Sequence, residues 1–145
     1  MTETVTLIRG GLAVDDRGCL RFVNDFAVEG VKRFYQVENH RRGFIRAWHG
    51  HEKEGKYVFV AKGSALVGAV PIGNEPGNLT GLSKHVLSDK SPAVLWIPAG
   101  HYNGFKSLEE DTRIMFFSTA TLEESKGDDI RLPFDAFNIW QEDFR

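Results

Sequence analysis

Short apolar or alternating runs follow one another along the chain, each cut off by turn residues before it could make a helix of ordinary length. The runs read "VTLI", "CLRFV", "VKRFYQV", "GFIRAWHGH", "KYVFVAKGSALVGAV", "SKHVL", "AVLWI", "YNGFKSL" and "TRIMFF", and between them stand "GG", "DDRG", "VEG", "HRRG", "IGNEPGN", "SDKSP", "PAG" and "LEED". Closely spaced strands with Gly, Asp, Asn and Pro at their ends predict an all-β sandwich or barrel. The 145 residues, without repeat or linker, make one domain spanning 1–145. "AKGS" predicts a tight hairpin between two long strands, with Gly63 supplying a backbone that other residues resist. "IGNEPGN" predicts an exposed loop. Only "ATLEESKGDD" and "PFDAFNIWQEDF" leave room for a helical turn or two.

Side chains alternate across a strand, so the runs assign faces. His49 and His51 share one face. Lys56, Val58 and Val60 share another, with Tyr57 and Phe59 opposite. His101, Asn103 and Phe105 lie together, and Thr112, Ile114 and Phe116 oppose Arg113. If these faces line the mouth of a barrel, His49, His51, Lys56 and Asn103 converge. Strict alternation puts Arg46 on the other side from His49, and a bulge or a position near the strand start would be needed to bring both into one pocket.

His-x-His, a seven-residue step to Gly63 and a "PAG" turn have the spacing of a metal-binding strand pair, yet two ligand places hold the wrong chemistry. Lys56 stands where a carboxylate would be and Asn103 where a last histidine would be. An ammonium donates and repels a divalent cation, and two imidazoles alone do not complete such a site. The sequence therefore predicts no metal and no other cofactor.

In their order and spacing these segments resemble the cupin sugar-nucleotide epimerases, the dTDP-4-dehydrorhamnose 3,5-epimerase family. "DDRG" (15–18) is similar to that family's Asp-x-Arg-Gly, "ENH" (38–40) to its Asp-Asn-His, and "RAWHGH" (46–51) to its Arg-Gly-Leu-His-x-Gln. "GKYVFVAKG" resembles Gly-Lys-x-Val-x-Val-x-x-Gly, "WIPAGHYNGF" the Ile-Pro-x-Gly-x-x-His-Gly-Phe turn, and "FNIW" the closing Gly-Ile-x-Trp. The resemblance implies a cupin (jelly-roll) β-barrel acting on a nucleotide-diphosphate-linked 4-keto-6-deoxy sugar. It also implies that His49 is the base removing the proton next to the ketone. Lys56 and Arg46 then hold the enolate oxygen and the substrate, and Arg17 the diphosphate. Asn39, Asn103, Phe116 and Tyr35 are the further substrate-contact positions. A fixed cation makes the proton beside a ketone acidic, and a neutral imidazole can remove it near pH 7.

The chain departs from the family pattern. The tyrosine acid of the epimerases falls on Phe116, which has no proton to give, and their pocket histidine is Asn103. The aspartate that orients the base lies beyond this sequence, leaving Asp143 as a weak substitute. His51, in place of a glutamine, resembles the 3,4-ketoisomerases of sugar nucleotides, which move the ketone by shuttling protons on one face. Three readings follow: epimerisation at C3 or C5, 3,4-ketoisomerisation, and a non-catalytic sugar-nucleotide-binding cupin. Each residue also has a plain structural alternative. His49 could be a hydrogen-bonded core histidine, His51 polar lining, Lys56 a side chain reaching along the barrel rim to water, and Arg17 and Arg46 surface ion-pair partners. Tyr35 could either supply the missing phenol or simply pack. His40 and His101 read as loop or rim residues, and Cys19 as a small strand residue.

A formal charge of −2 gives no global case for nucleic acid or an acidic membrane surface. The opening "MTETVTLIRGG" lacks the charge-then-apolar order of a signal peptide, and one cysteine cannot form an internal disulfide. These features predict a cytoplasmic enzyme with a sugar nucleotide as partner. Long edge strands near the N-terminus predict pairing into a homodimer.

Overall fold

The computed structural model describes residues 2–145. Its strands are β1 (Thr6–Arg9), β2 (Gly11–Asp15), β3 (Gly18–Phe22), β4 (Arg33–Glu38), β5 (Ile45–His51), β6 (Lys56–Lys62), β7 (Ser64–Pro71), β8 (Ser83–Ser88), β9 (Ala93–Ile97), β10 (His101–Ser107), β11 (Arg113–Ser118) and β12 (Ile130–Arg131). Helix α1 (Leu122–Lys126) and a 3₁₀ turn (Phe134–Phe137) fall in the two segments with room for them. One sheet runs β1-β9-β6-β11-β4, a second β12-β5-β10-β7-β8, and β2 and β3 form a separate hairpin. All pairings are antiparallel. The two five-stranded sheets pack face to face in a single jelly-roll domain.

Alternation decides what fills the space between them. Val58 and Val60 of β6, Leu95 and Ile97 of β9, and Ile114 and Phe116 of β11 point inward from the first sheet. They meet Ala65, Val67 and Ala69 of β7, Leu87 of β8 and Phe105 of β10 from the second. The opposite face of β6 is also covered: Tyr57 packs with Val94 and Trp96 under Phe26 and Val31. The outer face of the second sheet is closed by the C-terminal segment, whose Ala136, Phe137 and Trp140 pack on Trp48, Val70 and Tyr102. The phenylalanines divide accordingly, with Phe105, Phe116 and Phe137 buried and Phe34, Phe134 and Phe144 exposed.

The "AKGS" turn is present but is not a hairpin. Gly63 has φ +83°, as the sequence predicts, yet β6 pairs with β9 and β11 while β7 pairs with β10 and β8. The turn carries the chain from one sheet to the other, so each long strand finds its partners elsewhere. A Cβ at Gly63 would stand 2.4 Å from Thr112 Oγ1, whose hydroxyl bonds to the Ser64 and Glu109 carbonyls.

Of the two ways to bring Arg46 beside His49, the structure shows the bulge. Against β10, Asn103 pairs with His49 but Phe105 pairs with Arg46, so β5 uses one residue more than its partner over the same stretch. That bulge turns Arg46 to the same side as His49.

Gly63→Ala combines a strained φ with a steric overlap on a buried threonine. It is expected to cost about 1–3 kcal/mol, read as a lower urea midpoint at unchanged slope.

Candidate active site

At one end of the sandwich the apolar filling stops, and a cavity of about 350 Å³ opens between the sheets. Its floor is Val37, Phe105 and Phe116. Tyr35 and Lys56 stand on the wall formed by the first sheet. Arg46, His49, His51, Asn103 and Arg131 stand on the second, and Leu122, Ser125 and Lys126 of α1 with the following Asp129 overhang the opening. The expected convergence of His49, His51, Lys56 and Asn103 is therefore observed, with Arg46 beside them.

The lining carries Arg33, Arg46, Lys56, Lys126 and Arg131 against one acidic residue, Asp129. In a partly desolvated cleft such an excess of cations favours an anionic ligand. Lys56 is 7% exposed and, among the described residues, makes no ion pair. Its Nζ lies 5.9 Å from the centre of the Phe116 ring, within cation–π range. Burial pushes its pKa below the ordinary 10.5, opposed by the field of Glu54. A buried ammonium without a counter-ion is costly unless a ligand supplies the negative charge.

Both histidines are biased toward the neutral form. Burial lowers the His49 pKa below 6.5, and Lys56 and Arg131 lower it further, with Asp129 acting the other way. Asn103 donates to the His49 carbonyl at 3.2 Å, tying β10 to β5 beside the bulge. Burial and Lys56 likewise lower His51, while Glu54, Asp128 and Asp129 raise it. Tyr35 and Phe116 are cross-strand partners whose rings stack at 5.1 Å. Burial, then the field of Glu54, raises the Tyr35 phenol to about 12, so it keeps its proton throughout the neutral range.

Two expected contact residues lie elsewhere. Asn39 is buried behind the cavity, with its amide fully engaged: Oδ1 accepts from Arg46 Nε at 2.7 Å, and Nδ2 donates to Ser107 Oγ at 2.8 Å and to the Phe44 carbonyl. It orients Arg46 and does not line the cavity. Arg17 sits on the β2–β3 hairpin, 86% exposed and paired with Asp15, and is not among the cavity residues of its own chain. Asp143 pairs with Arg145 in the exposed tail and does not reach the histidines. His101 bonds to the carbonyls of the Pro98–Ala99 turn at the rim.

The sequence reading missed Arg33, Arg131, Asp129 and the α1 residues, which arrive from distant segments. It also missed Glu54, whose carboxylate is 3.1 Å from His51 Nε2. The i,i+3 spacing of His51 and Glu54 is visible in "HEKE", but strand periodicity gives no reason for a residue in a bend to fold back.

A model of the dTDP-4-dehydrorhamnose 3,5-epimerase family matches residues 3–142. The chain belongs to that family. It is thus an enzyme of the sugar-nucleotide epimerase and isomerase class. The spore coat polysaccharide biosynthesis protein SpsL of Bacillus subtilis is 29% identical over 107 residues, covering 71% of each chain. The structure of dTDP-4-dehydrorhamnose 3,5-epimerase from Sulfolobus tokodaii superposes with a TM-score of 0.74 at 26% identity, covering 92% of this chain and 80% of that one. The fold is shared with QdtA, a sugar 3,4-ketoisomerase from Thermoanaerobacterium thermosaccharolyticum solved with TDP (TM-score 0.67, 19% identity, 97% and 96% covered).

A histidine acting as base at His49 would have to be neutral and a cation at Lys56 charged. Turnover that used both should rise with pH through a pKa below 6.5 and fall through one below 10.5. The kcat/KM profile on a dTDP-4-keto-6-deoxy sugar checks both limbs.

Proposed function

We propose that the enzyme binds a nucleotide-diphosphate-linked 4-keto-6-deoxy sugar and inverts a carbon beside the ketone through an enolate. The observation that carries this reading is Lys56. It is a buried, unpaired ammonium facing two near-neutral imidazoles across one cavity, which suits transient negative charge on oxygen. His49 removes the proton from the carbon, and the electron pair moves onto the C4 oxygen, where Lys56 and Arg46 stabilise it. The proton returned to the other face comes from a donor across the cavity. Phe116 cannot serve, but the Tyr35 phenol on the neighbouring strand is protonated and lines the wall opposite His49. With the family's acid displaced by a strand, action at a single carbon is expected. The remaining lining cations, Arg33, Lys126 and Arg131, suit the diphosphate.

His51 favours a second reading. Two imidazoles in one cavity could pass a proton along one face and move the ketone from C4 to C3 without any opposite donor. The donor set also argues against metal chemistry: among the described residues no three His, Cys, Asp or Glu side chains group to hold an ion, and the ammonium between the sheets repels one.

The hairpin offers the surface for a second copy. Val14 is 73% and Leu20 64% exposed, and Arg17 sits at its tip. A homodimer built through it would cover these side chains and could carry Arg17 toward the partner's cavity. Among the described residues no helix is long and apolar enough to cross a membrane. A sugar-nucleotide substrate suits a cytoplasmic enzyme. Replacing Val14 and Leu20 by aspartate is expected to halve the mass seen by sedimentation at micromolar concentration; a wild-type monomer would overturn the dimer.

Chelator-treated enzyme incubated with dTDP-4-keto-6-deoxyglucose in deuterium oxide tests the chemistry. Deuterium at C3 or C5 with inversion supports epimerisation, and a C3 ketone supports ketoisomerisation. Binding without either supports a non-catalytic protein. His49→Asn is expected to lower turnover and exchange by about 10²–10⁴-fold with little change in affinity. Activity within a few-fold of wild type would remove His49 from this role.

A further inference from the structure

Among the five cations that line the cavity, one lies against a phenol. Arg33 and Tyr35 stand two residues apart on β4, so their side chains leave the same face of the strand, and both reach the cavity. The guanidinium carbon of Arg33 is 5.0 Å from the centre of the Tyr35 ring, within cation–π range. Arg33 is also tied where it stands. Its Nη2 donates to Glu54 Oε1 at 3.3 Å, and that carboxylate is itself buried. Its Nε is buried without a hydrogen-bond partner among the described residues, so this edge of the guanidinium is closed to a ligand. Lys126 and Arg131 differ, being exposed cations paired with Glu123 and Asp129. A diphosphate at the mouth can meet those two without Arg33.

The Tyr35 hydroxyl has no hydrogen-bond partner among the described residues, yet it is not one of the side-chain atoms buried without a partner. It therefore opens on the cavity that Tyr35 lines. Burial, then the field of Glu54, makes its proton hard to lose, and Arg33 acts the other way. A phenol that gives up its proton leaves an anion. A guanidinium held over the ring gains more from that phenolate than from the neutral phenol.

We infer that Arg33 is the positioning residue for the acid of this enzyme, holding the Tyr35 ring and stabilising the phenolate left when Tyr35 protonates the carbon. This rests on the epimerase reading and deepens it, giving Arg33 a task separate from the diphosphate. His49 takes the hydrogen from one face of the carbon, and the C–H electron pair moves onto the C4 oxygen. As the ketone reforms, the Tyr35 O–H bond breaks and a new C–H bond forms on the opposite face. Solvent then returns a proton to the phenolate and removes one from the His49 imidazolium.

Deuterium oxide separates the two faces. Exchange needs only His49, whose imidazolium can return a deuteron to the face it came from, whereas inversion also needs Tyr35. With dTDP-4-keto-6-deoxyglucose, Arg33→Met is expected to lower inversion by about 10-fold relative to exchange. Both are read on one sample, so the ratio does not depend on how much of the variant folds. Arg33→Lys, which keeps the charge, should fall between wild type and Arg33→Met. Added to Tyr35→Phe, Arg33→Met should change the ratio no further. If Arg33→Met lowers exchange and inversion equally, or only weakens TDP binding, Arg33 serves the diphosphate and the inference is overturned. A second readout needs no turnover. With Tyr35 replaced by 3-fluorotyrosine, whose phenol titrates below that of tyrosine, Arg33→Met is expected to raise the titration seen by fluorine-19 shift by about one pH unit. An unmoved titration overturns the inference even in an active enzyme. A wild type that neither exchanges nor inverts would defeat the epimerase reading, and the fluorine measurement would then decide whether Arg33 acts on the phenol.

Discussion

Two apolar sheet faces packed against each other leave no room for water, and the whole structure follows from where that packing is allowed to stop. Through most of the sandwich Val, Leu, Ile and Phe from facing strands close the gap. At one end the same inward positions carry His49, His51, Lys56 and Asn103, and the gap becomes a cavity. Those polar groups stay rigid because they are set on strands and not on loops. They are perturbed because the neighbouring core excludes solvent from part of each side chain. Burial is the first cause of the lowered His49, His51 and Lys56 pKa values alike.

The cost of that arrangement is offset by a shell of hydrogen bonds behind the cavity. Asn39 holds Arg46 by one amide oxygen and uses its amide nitrogen on Ser107 and Phe44. Glu54, 3.1 Å from His51, is held by two serines and an arginine, and Asp128 holds the bend beneath it. Arg46 and His51 thus each meet a polar side chain, Asn39 or Glu54, that does not itself line the cavity. Loss of a buried partner in such a network costs more than the single bond, since a polar group is left without water or protein to satisfy it.

Phe116 and Tyr35 stand side by side on neighbouring strands. The phenol that the epimerase pattern would place at 116 is absent, but the adjoining strand presents one at the directly paired position, stacked on the Phe116 ring. The phenylalanine keeps an aromatic face beneath the Lys56 ammonium. The same sheet therefore presents an ammonium at Lys56 and a phenol at Tyr35 to one cavity.

The sequence by itself determined the alternation of apolar faces, the two short helical segments, the turn at Gly63, the convergence of His49, His51, Lys56 and Asn103, and the need for a bulge or a strand-start position at Arg46. Each of these depends on period-two alternation or on the backbone freedom of glycine, which neighbouring residues along the chain reveal. Only the tertiary structure decided which strands are partners. "AKGS" has the turn chemistry of a hairpin, yet it connects two sheets, because pairing depends on strands far away in sequence. Tertiary structure likewise turned Asn39 inward, left Arg17 outside its own cavity, and made Glu54 the partner of His51. A side chain in a bend has no period, and its direction is set by Arg33 of β4, Ser118 of β11, and Ser125 and Asp128 in and just after α1.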